Sequence, residues 1–180
     1  MSTHVALLRA INVGGRNIIP MADLRTLFAE LGFAHATTLL NSGNVVFDGG
    51  RRTGAALERL LEAATARRFG VGADCVVRTA REWTELIAGN PCREEAKRDP
   101  GHLVVVVLKE SPGPGCVDAL RSAIRGPETV HAGDRRLYAV YPAGTGRSKL
   151  TLPLIEKTLG TRGTGRNWNT VVKLGELLKG

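Results

Sequence analysis

Thr37-Thr38-Leu39-Leu40-Asn41-Ser42-Gly43-Asn44-Val45-Val46-Phe47 is the stretch that decides the fold. Two short apolar, β-branched runs flank four turn-forming residues, which predicts a pair of strands joined by a tight turn. Upstream, Leu24, Leu27, Phe28 and Leu31 recur at helical spacing behind Pro20. A proline suits the first turn of a helix, where its missing N–H costs nothing. Gly32 is placed to close that helix. Further upstream, Val5-Ala6-Leu7-Leu8 reads as a buried strand. Downstream comes a helix with Leu57, Leu60, Leu61 and Ala64 inward and Arg59, Glu62 and Arg67 outward, then a strand over 74–78. The order β-α-β-β-α-β is the ferredoxin-like plan.

The order then repeats. Thr79 and Glu82 form a capping pair that opens a short helix carrying Trp83, Leu86 and Ile87. Residues 91–101 are charged and end in Asp99-Pro100-Gly101, which predicts a linker. Residues 102–108 are apolar on both faces and so belong in the centre of a sheet. A helix with Val117, Leu120 and Ile124 follows, then two strands around the Gly133-Asp134 turn. A helix capped by Thr151 or Ser148 and a last helix from Trp168 complete a β-α-β-β-α-α half. We therefore expect an α+β chain of two ferredoxin-like (βαββαβ-type) halves, 1–90 and 102–180, packed as one compact unit.

Composition narrows the class. Apolar residues make up 43% of 180, enough for an ordered interior, and no apolar run approaches a membrane span. The N-terminus has no signal-peptide pattern, and Cys75, Cys92 and Cys116 are odd in number and widely spaced. A cytoplasmic protein with free thiols and no membrane partner is the expectation. Residues 1–90 hold 10 basic and 8 acidic groups, whereas 91–180 hold 15 and 9. Arg outnumbers Lys 19 to 6, as in chains from GC-rich genomes. That bias accounts for the net charge of +8 better than for its concentration in the second half.

Four polar blocks stand out: 9–17, 41–44, 144–149 and 164–170. They offer amides, guanidiniums and backbone N–H groups, which suit an anion. The candidate ligand-binding residues are Arg9, Asn12 and Asn17; Asn41, Ser42 and Asn44; Arg147, Ser148 and Lys149; and Arg166, Asn169 and Thr170. Each block has a plainer reading. Asn12 and Asn17 can brace a loop, 42–44 can be a simple turn, and 144–149 lacks the P-loop spacing. Asn167 or Thr164 can cap the last helix, with Trp168 in the core. Arg166, Asn169 and Thr170 are then left without a structural duty. His4, His35, His102 and His131 start or end strands with no metal spacing among them. No catalytic residue is assigned, no metal or cofactor is implied, and a catalytic cysteine is disfavoured.

The same blocks carry a resemblance. Leu7 to Gly15, Ser42 to Phe47, Tyr141 to Lys149 and Arg166 to Thr170 resemble, in order, the marks of an uncharacterised bacterial domain-of-unknown-function family. The resemblance implies two ferredoxin-like halves packed together and no assigned activity. Ala10 stands where that pattern usually has Gly, and Asn41 where it has Gln.

Three functions follow. The first is a binding protein for nucleic acid or a phosphate-bearing ligand at an Asn/Gly/Arg-rich cleft between the halves. Few aromatics, and Tyr138 and Tyr141 at odd spacing, disfavour base stacking. The second is an enzyme on a small anionic substrate, which requires a histidine or carboxylate beside the cluster. The third is an interaction protein without a ligand.

Overall fold

The computed structural model describes residues 2–180, and they divide into two compact units. The first runs to Glu85 and includes Leu174–Gly180; the second is Leu86–Lys173. The first unit holds β1 (Thr3–Leu8), α1 (Met21–Glu30), β2 (Thr37–Leu39), β3 (Asn44–Asp48), α2 (Gly54–Phe69) and β4 (Cys75–Thr79). Its sheet order is β2-β3-β1-β4, antiparallel throughout, with Val5 opposite both Val46 and Arg78. This is the ferredoxin-like arrangement predicted from the 37–47 hairpin.

Local chemistry explains the element ends. Helix α1 closes with Phe33 N–H on Phe28 O (3.0 Å) and Gly32 N–H on Ala29 O (2.9 Å), while the Phe28 and Phe33 rings lie 6.0 Å apart. That bond pair with its apolar contact is a Schellman stop. Thr53 caps α2 through Ala56 N–H. Leu24, Phe28, Phe47, Leu57 and Leu61 from the two helices and the sheet form one core.

Two carboxylates of α2 turn to strand β4, and Glu62 thereby departs from expectation. Glu62 is not simply outward: its carboxylate accepts Cys75 N–H at 2.9 Å, and buried Glu58 accepts Val77 N–H at 2.9 Å. Strand β4 is an edge, and α2 carboxylates occupy donors an edge strand would otherwise leave open. Arg78 Nη1 lies 3.8 Å from Glu58 and supplies counter-charge.

Helix α3 (Ala80–Ala88) opens on the predicted box: Thr79 N–H to Glu82 (2.8 Å) and Glu82 N–H to Thr79 Oγ1 (3.2 Å). Residues 91–101 are not a plain linker. They hold helix α4 (Arg93–Arg98), acidic in its first turn and basic in its last, and enter a short 3-10 turn, Pro100–His102. The division between units falls at Glu85 and Leu86.

The second unit continues with β5 (Leu103–Leu108), α5 (Cys116–Ala123), β6 (Thr129–Gly133), β7 (Arg136–Val140), α6 (Leu152–Leu159), β8 (Gly163–Asn167) and α7 (Trp168–Leu178), the last of which runs across the boundary. Sheet order is β6-β7-β5-β8, so β5 is central as its apolar faces required. Strand β8 completes β-α-β-β-α-β where the sequence reading has only helices. Its glycines lower strand propensity, yet the packing demands them. A Cβ on Gly163 would stand 2.9 Å from Val107 O, and one on Gly165 3.1 Å from Val104 Cγ1. Thr151 caps α6 through Leu154 N–H. Trp168 is half-buried and not in the core.

Candidate ligand-binding site

Block one is a braced loop. Asn12 Oδ1 accepts Ile19 N–H (2.7 Å), and its Nδ2 donates to Ile19 O (2.9 Å) and Asn41 O (2.7 Å). Asn17 Nδ2 reaches Ala10 O at 3.1 Å. Between them Arg16 N–H donates to Val13 O across Gly14 (φ 59°) and Gly15 (φ 72°). Both central residues have positive φ, the type I′ turn that glycine pairs permit. Ala10 itself has φ 55°, which accounts physically for a glycine in the related pattern. Arg9 is half-buried after the end of β1, and its N–H donates to Asp74 O.

Block two meets block one through the Asn12–Asn41 bond. Asn44 is fully buried, with Nδ2 donating to Leu39 O and Ser42 Oγ, both at 2.9 Å, so its amide serves the turn. Asn41 is exposed.

Block four is largely occupied by the fold. Arg166 lies in β8, 9% exposed, and Nη1 donates to Thr164 Oγ1 (2.7 Å) and Gly165 O (2.8 Å). Asn167 is the helix cap, accepting Thr170 N–H (3.0 Å) and Thr170 Oγ1 (3.2 Å). Thr170 therefore has the structural duty the sequence reading denied it. Of the three candidate residues here, only Asn169 is exposed.

Block three opens onto a pocket within the second unit. The pocket holds about 240 Å³ between the loop after α5 and the loop after β7, and Arg125, Glu128, Gly144, Arg147, Ser148 and Lys149 line it. Arg125, Arg147 and Lys149 are exposed cations. Ser148 Oγ donates a short hydrogen bond to Glu128 Oε1 and accepts Leu150 N–H at 3.0 Å. The serine thus ties the two loops together. Glu128 also acts beneath the pocket: burial first, then its charge, pushes the Tyr141 hydroxyl up to about 12. Tyr141 Oη donates to Leu150 O at 2.9 Å and anchors the loop base.

Arg147, Ser148 and Lys149 are thus brought together, while Arg166, Asn169 and Thr170 do not line this pocket. Sequence reading missed Arg125 and Glu128, since Arg125-Gly126-Pro127-Glu128 reads as an ordinary turn. It also missed His102. That ring is not unpaired: Nδ1 lies 2.7 Å from Asp99 Oδ2. Its Nε2 lies 3.5 Å from where a Cβ on Gly144 would stand, beside the pocket loop.

Other sites offer less. A wider depression of about 710 Å³ beside α1 presents one guanidinium, Arg25, already on Thr38 Oγ1 at 2.6 Å. Burial first and Glu95 second push the Cys92 thiol up to about 11, which leaves it protonated at neutral pH. No group of three or more His, Cys, Asp or Glu suited to a metal exists among the described residues. Among them, too, no helix is long and apolar enough to cross a membrane.

Comparisons set this geometry among known proteins. Over 98% of both chains, the fold is similar to the solved structure of a conserved bacterial protein from Streptococcus pneumoniae, with TM-score 0.76 and 22% identity. At that identity the likeness speaks for fold alone. A search of curated protein sequences gives no match. A family model described as "Protein of unknown function (DUF1697)" matches residues 1–138, more than half of the sequence. It includes blocks one and two, Arg125 and Glu128, and ends before blocks three and four. The chain belongs to that family, DUF1697.

Proposed function

We propose that the second unit binds a small phosphate-bearing molecule in the pocket between Arg125–Glu128 and Ala143–Lys149. The observation that carries this reading is three exposed cations around one bounded space. Guanidiniums match phosphate oxygens two at a time, and an ammonium adds a point charge. Glu128 removes one unit of charge and offers an acceptor for a hydroxyl. A site with Arg125, Arg147 and Lys149 against Glu128 suits a dianion carrying hydroxyl groups, such as a sugar phosphate or a nucleoside monophosphate.

The bounded volume favours a small ligand over a nucleic acid, whose backbone requires a continuous basic track. Thermal-shift assays with inorganic phosphate, a sugar phosphate, a nucleoside monophosphate and a single-stranded oligonucleotide separate the readings. The phosphate compounds raise Tm in wild type and not in Arg147→Ala, because a ligand specific for the native state adds its binding free energy to stability. An oligonucleotide shift that falls steeply with salt and survives Arg147→Ala moves the function to nucleic acid. The enzymatic alternative gains one specific support, the histidine beside the pocket.

A further inference from the structure

We propose that His102 is a phosphoryl-accepting nucleophile for small acyl phosphates drawn to the basic pocket, with Asp99 as its positioning residue. The inference rests on the phosphate-binding reading above and adds a reaction to it.

The geometry begins in the backbone. His102 N–H donates to Asp99 O at 3.1 Å, and His102 O accepts Tyr141 N–H at 2.8 Å. The first bond closes the turn that brings the Asp99 carboxylate round to the ring. The second fixes His102 against Tyr141, the residue from which the pocket loop departs; Gly144 N–H returns to Tyr141 O at 2.9 Å. The ring is therefore held to the base of the loop that carries Arg147 and Lys149. Its Nδ1 faces the carboxylate at 2.7 Å, which places the proton on Nδ1 and the lone pair on Nε2. Nε2 is the atom turned toward Gly144, and Gly144 lines the pocket. The ring is 45% exposed, so a ligand can reach it.

The chemistry needs no group beyond those present. The Nε2 lone pair forms a bond to phosphorus while the bond from phosphorus to the donor oxygen breaks, and that electron pair leaves on the donor oxygen. An acyl phosphate releases a carboxylate, which needs no proton. The phosphorylated ring keeps its Nδ1 proton and becomes cationic, and the Asp99 carboxylate faces that charge. Arg125, Arg147 and Lys149 line the pocket beside the ring and draw the anionic donor toward it. Water then attacks phosphorus, the N–P bond breaks, phosphate leaves and the ring returns to its neutral form. An acid placed apart from the cations would serve none of these steps; Asp99 behind the ring serves one of them directly.

The test is incubation of the full chain with acetyl phosphate, followed by intact mass spectrometry at neutral pH and after brief acid treatment. The expected result is one phosphoryl group, lost in acid and stable in alkali, as phosphorylated imidazole behaves. His102→Gln and His102→Asn reduce labelling to background with Tm retained, since the ring is half-exposed. Asp99→Asn slows labelling at least about tenfold but leaves the affinity for inorganic phosphate, measured by calorimetry, unchanged. Labelling that is absent in wild type, or that persists in both His102 variants, overturns the inference. If inorganic phosphate still titrates to saturation in that case, the binding reading stands; if it does not, both fall.

Discussion

Replacing Ala10 by glycine should stabilise the protein, although glycine usually weakens a chain. Ala10 sits exposed at φ 55°, held there by Asn17 Nδ2 on its carbonyl and by the Asn12–Asn17 loop closure. A left-handed conformation costs an L-residue with a Cβ roughly 1–2 kcal/mol. Glycine removes that cost and loses roughly 0.5–1 kcal/mol through its freer unfolded chain. The difference predicts a gain of about 0.5–1 kcal/mol for Ala10→Gly, since nothing else changes at an exposed position. For a chain of this size that corresponds to an increase of about 1–4 °C in Tm. Ala10→Val should move the other way, because β-branching makes positive φ harder still. The assay is urea unfolding of the three proteins with Tm measured in parallel. A lower midpoint for Ala10→Gly, or equal midpoints for Gly and Val, refutes the strain assigned to this residue.

Three further outcomes follow from the same structure. Asn12→Ala removes three hydrogen bonds that join 12, 19 and 41, and at about 1 kcal/mol each it should cost about 2–3 kcal/mol by urea unfolding; a loss under about 0.5 kcal/mol would show the loop is braced elsewhere. Tyr141 has a folded-state pKa raised from 10.0 to about 12, so the unfolded chain gives up its proton first as pH rises. Stability from this group is whole below pH 10 and declines between about 10 and 12, and Tyr141→Phe should flatten that part of a pH–stability curve. Thiol titration of the native protein at pH 8 should modify half-buried Cys116 before buried Cys75 and Cys92; prior reaction of Cys92 would contradict its raised pKa.

The fold was legible where periodicity and cap chemistry agreed. Leu24, Leu27 and Phe28, the Thr79–Glu82 box and the apolar run of β5 each say one thing at the local level and the same thing in the packed unit. Strand β8 was not legible, because Gly163 and Gly165 are chosen by close approach to Val107 and Val104, contacts more than fifty residues away in sequence. Glu62 was misread, and Glu58 passed over, for a similar reason: the β4 donors they satisfy exist only once the sheet has an edge. Of the candidate residues, Arg147, Ser148 and Lys149 share a pocket. Asn12, Asn44 and Thr170 carry hydrogen bonds that hold loops and a helix start. Polar blocks announce a need for hydrogen bonds, and loops with positive φ need them as much as ligands do. The Asp99–His102 pair escaped notice because only the turn at Pro100 brings the two side chains together.

Calorimetric titration of a sugar phosphate into wild type and into the Arg125→Ala/Arg147→Ala variant is the most direct measurement. A charge-assisted hydrogen bond contributes about 1.5–3 kcal/mol, so wild type should show one saturable site and the variant should bind at least about a hundredfold more weakly. Equal binding by both proteins, or no saturable heat with wild type, would contradict a phosphate site in the second unit.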